Sequence, residues 1–377
     1  MRRLLPPAML SAILLACAPP GQFPDAERAA VAATLADYRA AWLRNDADAV
    51  MAHVSEEFAM VVPGDGTPRV SGRTALRAFW FPTEGPTFRV TRYVVTGAGG
   101  MLGTDLRGAL AGRDATFLTR ADLDITDPAA VDAVIAAQLS GGDVVINAAA
   151  YTAVDDAESH EDEAHAINAV GAGLVAAAAA RSGARVVQIS TDYVFDGTAT
   201  APYAEGAPRH PVSAYGRTKA EGEERVQAAN ADGAYIVRTA WLYGEHGPNF
   251  VKTMLRLATE RPTVDVVSDQ VGQPTWTRDL AEQIVRLLDS DAPAGIYHGT
   301  NGGTASWFDL ARMVFELGGH DPESVHPTDS ASFVRPAPRP AYSVLGHDAW
   351  FGAGIDPLRD WRSALREAFA TEALVPA

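Results

Sequence analysis

Between Arg92 and Leu110 the chain reads RYVVTGAGGMLGTDLRGAL, and few folds admit that order of residues. A β-branched run, Tyr93 to Thr96, enters a turn where Gly97, Gly100 and Gly103 recur at every third position. An apolar helical period then leaves through Leu102, Leu106 and Leu110. Strand, glycine turn and helix in that order build the phosphate-cradling corner of a dinucleotide-binding sheet. Glycines let the backbone approach an anion closely, and the helix N-terminus offers unpaired N–H groups and the positive end of its dipole. Alone, the spacing suits an empty glycine turn equally well, so the residues downstream have to decide.

A chain of 377 residues has room for two or three domains, at about 150 residues each. Hydrophobic residues make up 47% of it, ample for packed cores, while the net charge of −16 argues against a nucleic-acid surface. An anionic nucleotide would therefore need local positive groups and helix N-termini. Cys17 is the single cysteine, which excludes an intramolecular disulfide and a cysteine-based metal site.

Residues 1–23 begin with Arg2 and Arg3, followed by a short apolar run from Ala8 to Ala16 and then Cys17. That pattern is similar to a bacterial lipoprotein signal, in which Cys17 would carry the lipid. Residues 24–90 predict helices over 26–44 and 47–53, a strand over 58–62, a helix over 74–79 and a strand over 87–90. They resemble the opening half of the α+β cone of the nuclear transport factor and ketosteroid isomerase superfamily. The dinucleotide corner begins before the later strands of such a sheet appear, so this segment is expected to lack a complete pocket. His53, Glu56 and Glu57 read as solvated charges near a helix end.

From residue 91 to 377 the pattern alternates as a doubly wound α/β fold requires. Ala115 to Thr119 is a second strand with Thr119 and Arg120 at its tip, where NAD-binding folds carry an acidic residue for the ribose; this leans toward NADP. Asp127 and Pro128 suit a helix cap and first position. Asp143 to Asn147 is a buried strand ending in small residues, Ala148 to Ala150, then Tyr151. An Ala-rich helix covers about 160–181, and a fourth strand, Val186 to Ile189, delivers Ser190, Thr191, Asp192 and Tyr193 to the same edge. Tyr215 and Lys219 then lie one turn apart on one helix face. An ammonium beside a phenol favours phenolate and makes the tyrosine a usable acid near neutral pH.

The stretches VVTGAGGMLG, LDITD, INAAAYTAVDDAE, ISTDYVFDG, YGRTKAEGE, VRTAWLYG, DQVGQPTW and RPAYSVL occur in that order along about three-quarters of the chain. Together they resemble the extended short-chain dehydrogenase/reductases, and among them the dTDP-4-dehydrorhamnose reductase family. The resemblance implies a Rossmann-type doubly wound parallel sheet with a smaller C-terminal substrate lobe. It implies Tyr215 as proton donor, Lys219 as its tuner and nicotinamide-ribose contact, and Thr191 as the hydroxyl polarising the carbonyl. Gly97, Gly100, Met101, Leu102 and Gly103 would hold the pyrophosphate, Asp124 and Ile125 would lie by the adenine, and Ala149, Ala150 and Tyr151 would line the cofactor. Thr191, Asp192 and Trp241 would face a dTDP-sugar.

The implied activity is reduction of dTDP-4-dehydro-L-rhamnose to dTDP-L-rhamnose by NADPH or NADH, with no metal in the chemistry. A structural Mg²⁺ and a homodimer are left open. Trp276 and Arg278 could meet the base or diphosphate, and Arg278 reads equally as a surface ion pair. The helix over 306–317 reads as structural, and 334–340 as a Pro/Arg-rich loop bordering the substrate. Two other readings stand beside the enzyme: a non-catalytic NADP-binding regulatory subunit of the same fold, and an exported lipoprotein whose reductase-like part only binds. A cytoplasmic location follows from the enzyme, a membrane anchor only from Cys17.

Overall fold

The computed structural model describes residues 90–371 and 374, with short pieces at 34, 37–38, 47–53, 59–60 and 70–71. The chain divides into two compact units, Met1–Thr87 and Phe88–Ala377. In the first, a helix spans Ala47–Ala52, and Ala59–Met60 pairs antiparallel with Val70–Ser71. The helix and the first of these strands fall where the sequence predicts them; Val70–Ser71 was not foreseen. His53 is exposed, with its ring edge-on to Tyr38 at 5.9 Å. Cys17, the signal-like segment, the helix expected over 74–79, and Glu56 and Glu57 lie outside the described residues.

The second unit is built on a six-stranded, all-parallel sheet. Its strands are β1 (Tyr93–Thr96), β2 (Ala115–Leu118), β3 (Val144–Asn147), β4 (Arg185–Thr191), β5 (Ala234–Thr239) and β6 (Gly295–His298). They lie in the order β2-β1-β3-β4-β5-β6. The order reverses between β1 and β3, and that switch point is where such sheets bind ligands.

Strands buried on both faces read as continuous apolar runs, and successive side chains feed opposite cores. Val95, Ile146, Val187 and Val237 face Leu102, Leu106 and Leu110, on and just after helix α1 (Met101–Ala109). Val94, Val145, Val186 and Ile236 face the other way, toward Val175 and Ala176 of α2 (Glu161–Arg181) and Val226 of α3 (Ala214–Ala229). Leu106 is fully buried, so Leu106→Ala would cost about 2–5 kcal/mol. By length and apolar composition α2 could cross a membrane, yet half of its apolar window is buried inside this fold.

Helix α2 contains a π turn, Ala166–Gly171, that a 3.6-residue period could not foretell. At this turn α3 crosses so closely that a Cβ on Gly222 would sit 2.1 Å from the Asn168 carbonyl oxygen. The Asn168 amide accepts from Tyr151 N (2.8 Å) and donates to Tyr151 O and Thr218 Oγ1 (both 3.1 Å). One buried side chain therefore ties the end of β3 to α3.

A smaller C-terminal lobe carries α4 (Phe250–Glu260) and α6 (Trp307–Leu317), while α5 (Thr277–Leu288) packs on α1. The lobe's core gathers Tyr243, Leu255, Trp276, Leu310, Phe315 and Trp361. Short strand pairs join its loops: Leu242–Tyr243 with Thr275–Trp276, and Val271–Gly272 with Ala305–Ser306.

Candidate active site

The glycine corner is made as its residues demand. Gly97 has φ 69°, a left-handed conformation that favours glycine, and its Cβ would lie 2.5 Å from Ala148 C. A Cβ on Gly103 would meet the Gly97 carbonyl oxygen at 2.4 Å, so the first turn of α1 can lie against the strand exit only as glycine. No side chain caps α1 at Gly100. Its first-turn N–H groups thus open onto the end of the sheet, as an anion such as a dinucleotide pyrophosphate requires.

From this corner a cleft of about 950 Å³ runs along the carboxyl ends of the strands. Gly97, Gly100, Met101, Leu102, Gly103, Asp124, Ile125, Ala149, Ala150, Thr191, Asp192, Tyr215, Lys219 and Trp241 all line it. Tyr151 does not: its hydroxyl turns outward to Asp156. Its backbone is clamped by Asn168.

At the tip of β2, Thr119 and Arg120 line the cleft. The neighbouring carboxylates are occupied locally. Asp122 Oδ2 accepts from Thr119 N (2.8 Å) and Thr119 Oγ1 (2.6 Å), and Asp124 Oδ1 accepts from Thr126 N (2.9 Å) and Thr126 Oγ1 (2.7 Å). These bonds hold both carboxyls below their usual range.

Tyr215 sits in the first turn of α3, which is fixed from two sides. Ser213 Oγ accepts from Gly216 N (3.1 Å), and Glu158 Oε1 accepts from Ala214 N (2.8 Å). The phenol meets the Thr191 hydroxyl and packs edge-on against Tyr193, with centroids 5.7 Å apart. Burial pushes it up to about 12, the Thr191 bond opposing and the Asp192 charge adding.

The sequence expectation of a phenol held below its ordinary value is therefore corrected: burial outweighs the Lys219 charge. Lys219 directs its ammonium to the Ile189 carbonyl at 2.6 Å, and burial lowers Lys219 itself to about 8. Asp192 is also buried, which raises its carboxyl to about 6, although Thr191 Oγ1 donates to Asp192 Oδ1 at 3.0 Å. Behind these groups, Arg238 and Glu223 form a fully buried bidentate pair (2.9 and 2.7 Å), with Ser190 Oγ donating to Glu223 Oε1 at 2.6 Å.

Several cleft residues escaped the sequence reading. Thr239 stands opposite Thr191 across β4 and β5, and its buried hydroxyl oxygen finds no hydrogen-bond partner. Trp307 opens α6 and reaches the cleft, where its ring stacks on Trp241. Conversely, Trp276 belongs to the lobe core, and Arg278 pairs with Glu282 on the surface at 3.5 Å. The ion-pair reading of Arg278 is the one the geometry bears out. Arg339, from the Pro/Arg-rich loop, bonds Asp155 after β3 and the Ala337 carbonyl (2.7 Å).

Comparison with known proteins adds to this geometry. The family described as RmlD substrate binding domain matches residues 91–374. A protein named probable dTDP-4,6-dihydroxy-2-methyloxan-3-one 4-ketoreductase, from Streptomyces antibioticus, is 52% identical over 283 residues, 74% of this chain and 94% of that protein. A dTDP-4-dehydrorhamnose reductase from Streptomyces griseus is 51% identical, covering 74% of this chain and 93% of its own length. The crystal structure of dTDP-4-dehydrorhamnose reductase from Bacillus anthracis in complex with NADP superposes with a TM-score of 0.71 at 38% identity, over 74% of this chain and 99% of that one. By sequence, by fold and by the motif order along the cleft, the chain belongs to the dTDP-4-dehydrorhamnose reductase family, with its RmlD domain at residues 91–374.

Proposed function

We propose that the chain reduces the 4-keto group of dTDP-4-dehydro-L-rhamnose with NADPH or NADH, giving dTDP-L-rhamnose. The observation that carries this reading is one continuous cleft, from the glycine corner to Tyr215, Thr191 and Lys219. Relatives about half identical to this chain bear names of dTDP-4-keto-sugar reductases, and one relative was solved with NADP.

When bound, the nicotinamide cofactor supplies the hydride that adds to C4 of the sugar. The chain's own groups handle the charge and the proton. The Thr191 hydroxyl turns its one proton from Asp192 Oδ1 to the carbonyl oxygen as negative charge builds there. Tyr215, held up at about 12, keeps its proton at neutral pH and is in the form a donor needs. A sugar alkoxide is a stronger base than phenolate, so the proton passes from Tyr215 to the new hydroxyl. The Lys219 ammonium steadies the phenolate until solvent returns a proton. No metal enters these steps.

The regulatory-subunit and exported-lipoprotein readings lose ground because a pure binder has no use for the acid and its hydroxyl partner in one cleft. Reduced nicotinamide and nucleotide sugars are cytoplasmic supplies, which supports a cytoplasmic location; anchoring through Cys17 would show as added lipid mass. The reductase reading assigns the chemistry to residues 91–377, nearly all of which the family model matches. A chain starting at Phe88 should therefore keep full turnover. The deciding assay supplies dTDP-4-dehydro-L-rhamnose and NADPH deuterated at the transferring carbon. Deuterium at C4 of dTDP-L-rhamnose supports the reading, and an unlabelled or unreduced sugar refutes it.

A further inference from the structure

Among the described residues Trp241 is the one non-glycine residue with positive φ, at 47°. A bulky side chain disfavours that region, so its surroundings must impose it. Two of those surroundings are visible. A Cβ on Gly272 would lie 2.7 Å from Trp241 Cε2, so glycine alone leaves room for the indole. On the other side Trp307 stacks on it, with centroids 3.6 Å apart and planes 10° from parallel.

Trp307 is itself fixed. It is the first residue of α6, where Ser306 Oγ accepts from Asp309 N (3.0 Å) and Asp309 Oδ2 accepts from Ser306 N (2.9 Å). Phe250 packs against it at 4.6 Å. Both indoles line the cleft, and Trp241 follows closely on Thr239, the residue opposite Thr191. The stacked pair thus walls part of the same cleft that Tyr215 and Thr191 line.

We propose that Trp307 is a positioning residue that, through Trp241, sets a rigid apolar wall for the hexose ring of the substrate. A pyranose presents C–H faces that pack on an indole, while its hydroxyls seek polar groups; the unpartnered Thr239 hydroxyl lies in the same cleft. The inference rests on the keto-sugar reading above and adds a residue to it.

The test compares wild type, Trp307→Ala, Trp307→Leu and Trp307→Phe. Two indoles this close couple their transitions, so wild type should show an exciton couplet in circular dichroism that all three variants lose. Trp307→Ala and Trp307→Leu should raise KM for the dTDP-keto sugar about tenfold, the scale of one aromatic pair, with kcat within about twofold. Inhibition by dTDP, which lacks the sugar, and NADP⁺ affinity should not change. Trp307→Phe keeps a flat ring and should restore KM. The leucine variant serves if alanine does not fold. An unchanged KM in Ala and Leu, an equal loss for dTDP and the keto sugar, or a Phe variant as poor as Ala would each overturn the proposal. A wild type that turns over no keto sugar defeats the functional reading itself, and this inference with it; the unmutated control tells the two failures apart.

Discussion

Lys219 Nζ donates to the carbonyl oxygen of Ile189 at 2.6 Å, stitching the middle of α3 to β4 one turn beyond Tyr215. The same carbonyl accepts from Gln188 Nε2 at 2.8 Å. A lysine whose partner is already satisfied, and whose own charge is opposed by burial, contributes little to the fold.

Lys219→Met should therefore fold with a melting temperature within a few degrees of wild type, since Ile189 O keeps its second donor. Turnover should fall by about a hundredfold, because the phenolate loses its nearby cation, an effect on the scale of general acid catalysis. Calorimetry and steady-state kinetics check the two halves separately. A variant that unfolds, or one that turns over normally, contradicts this account of Lys219.

A pH dependence follows from His298. It is buried at the end of β6, with Nδ1 bonded to the Gly346 carbonyl (2.8 Å) and Nε2 facing Arg238 Nη1 (3.4 Å), an arrangement that suits the neutral ring donating from Nδ1. Burial and Arg238 depress it from 6.5 to about 3. Between those values the unfolded chain binds a proton that the folded one refuses. Stability is thus full above the unfolded value and falls as pH drops, by at most about 1.4 kcal/mol per pH unit for one proton. Glu223, lowered by its pair with Arg238 despite burial, adds loss in the same direction at lower pH. Urea titrations from neutral pH downward should show a falling midpoint, with a shallower slope in His298→Asn.

Cofactor preference should follow Arg120. It lines the cleft at the tip of β2, while Asp122 and Asp124 are engaged within their own turns. A guanidinium there can fork onto a 2′-phosphate, while Asp122 and Asp124 spend acceptor oxygens on Thr119 and Thr126. NADPH should be favoured over NADH by about five- to thirtyfold in kcat/KM, or about 1–2 kcal/mol, and Arg120→Ala should erase most of that ratio. An NADH preference in wild type, or an unchanged ratio in the variant, removes Arg120 from cofactor selection.

What could be read in advance was what local chemistry dictates. The glycine corner was legible because only glycine tolerates the contacts at positions 97 and 103, and Tyr215 with Lys219 because a helix places them on one face. Less legible were features made by segments distant in sequence. Trp307 sits in a helix whose amphipathic pattern reads as structural, and it becomes a cleft residue only by stacking on Trp241. Tyr151 follows three alanines that line the cleft, yet Asp156 draws its ring away. The high phenol value of Tyr215 depends on burial and on where Lys219 spends its proton, and neither is written in a spacing.

The most direct test of the account is Tyr215→Phe, assayed with dTDP-4-dehydro-L-rhamnose and NADPH beside wild type, with NADPH affinity measured separately. The ring should still pack against Tyr193, so NADPH should bind with nearly unchanged affinity. Turnover should drop by about a hundredfold or more, the scale of losing a general acid. Wild-type-like turnover in Tyr215→Phe would contradict the assignment of the proton to this phenol, and with it the mechanism.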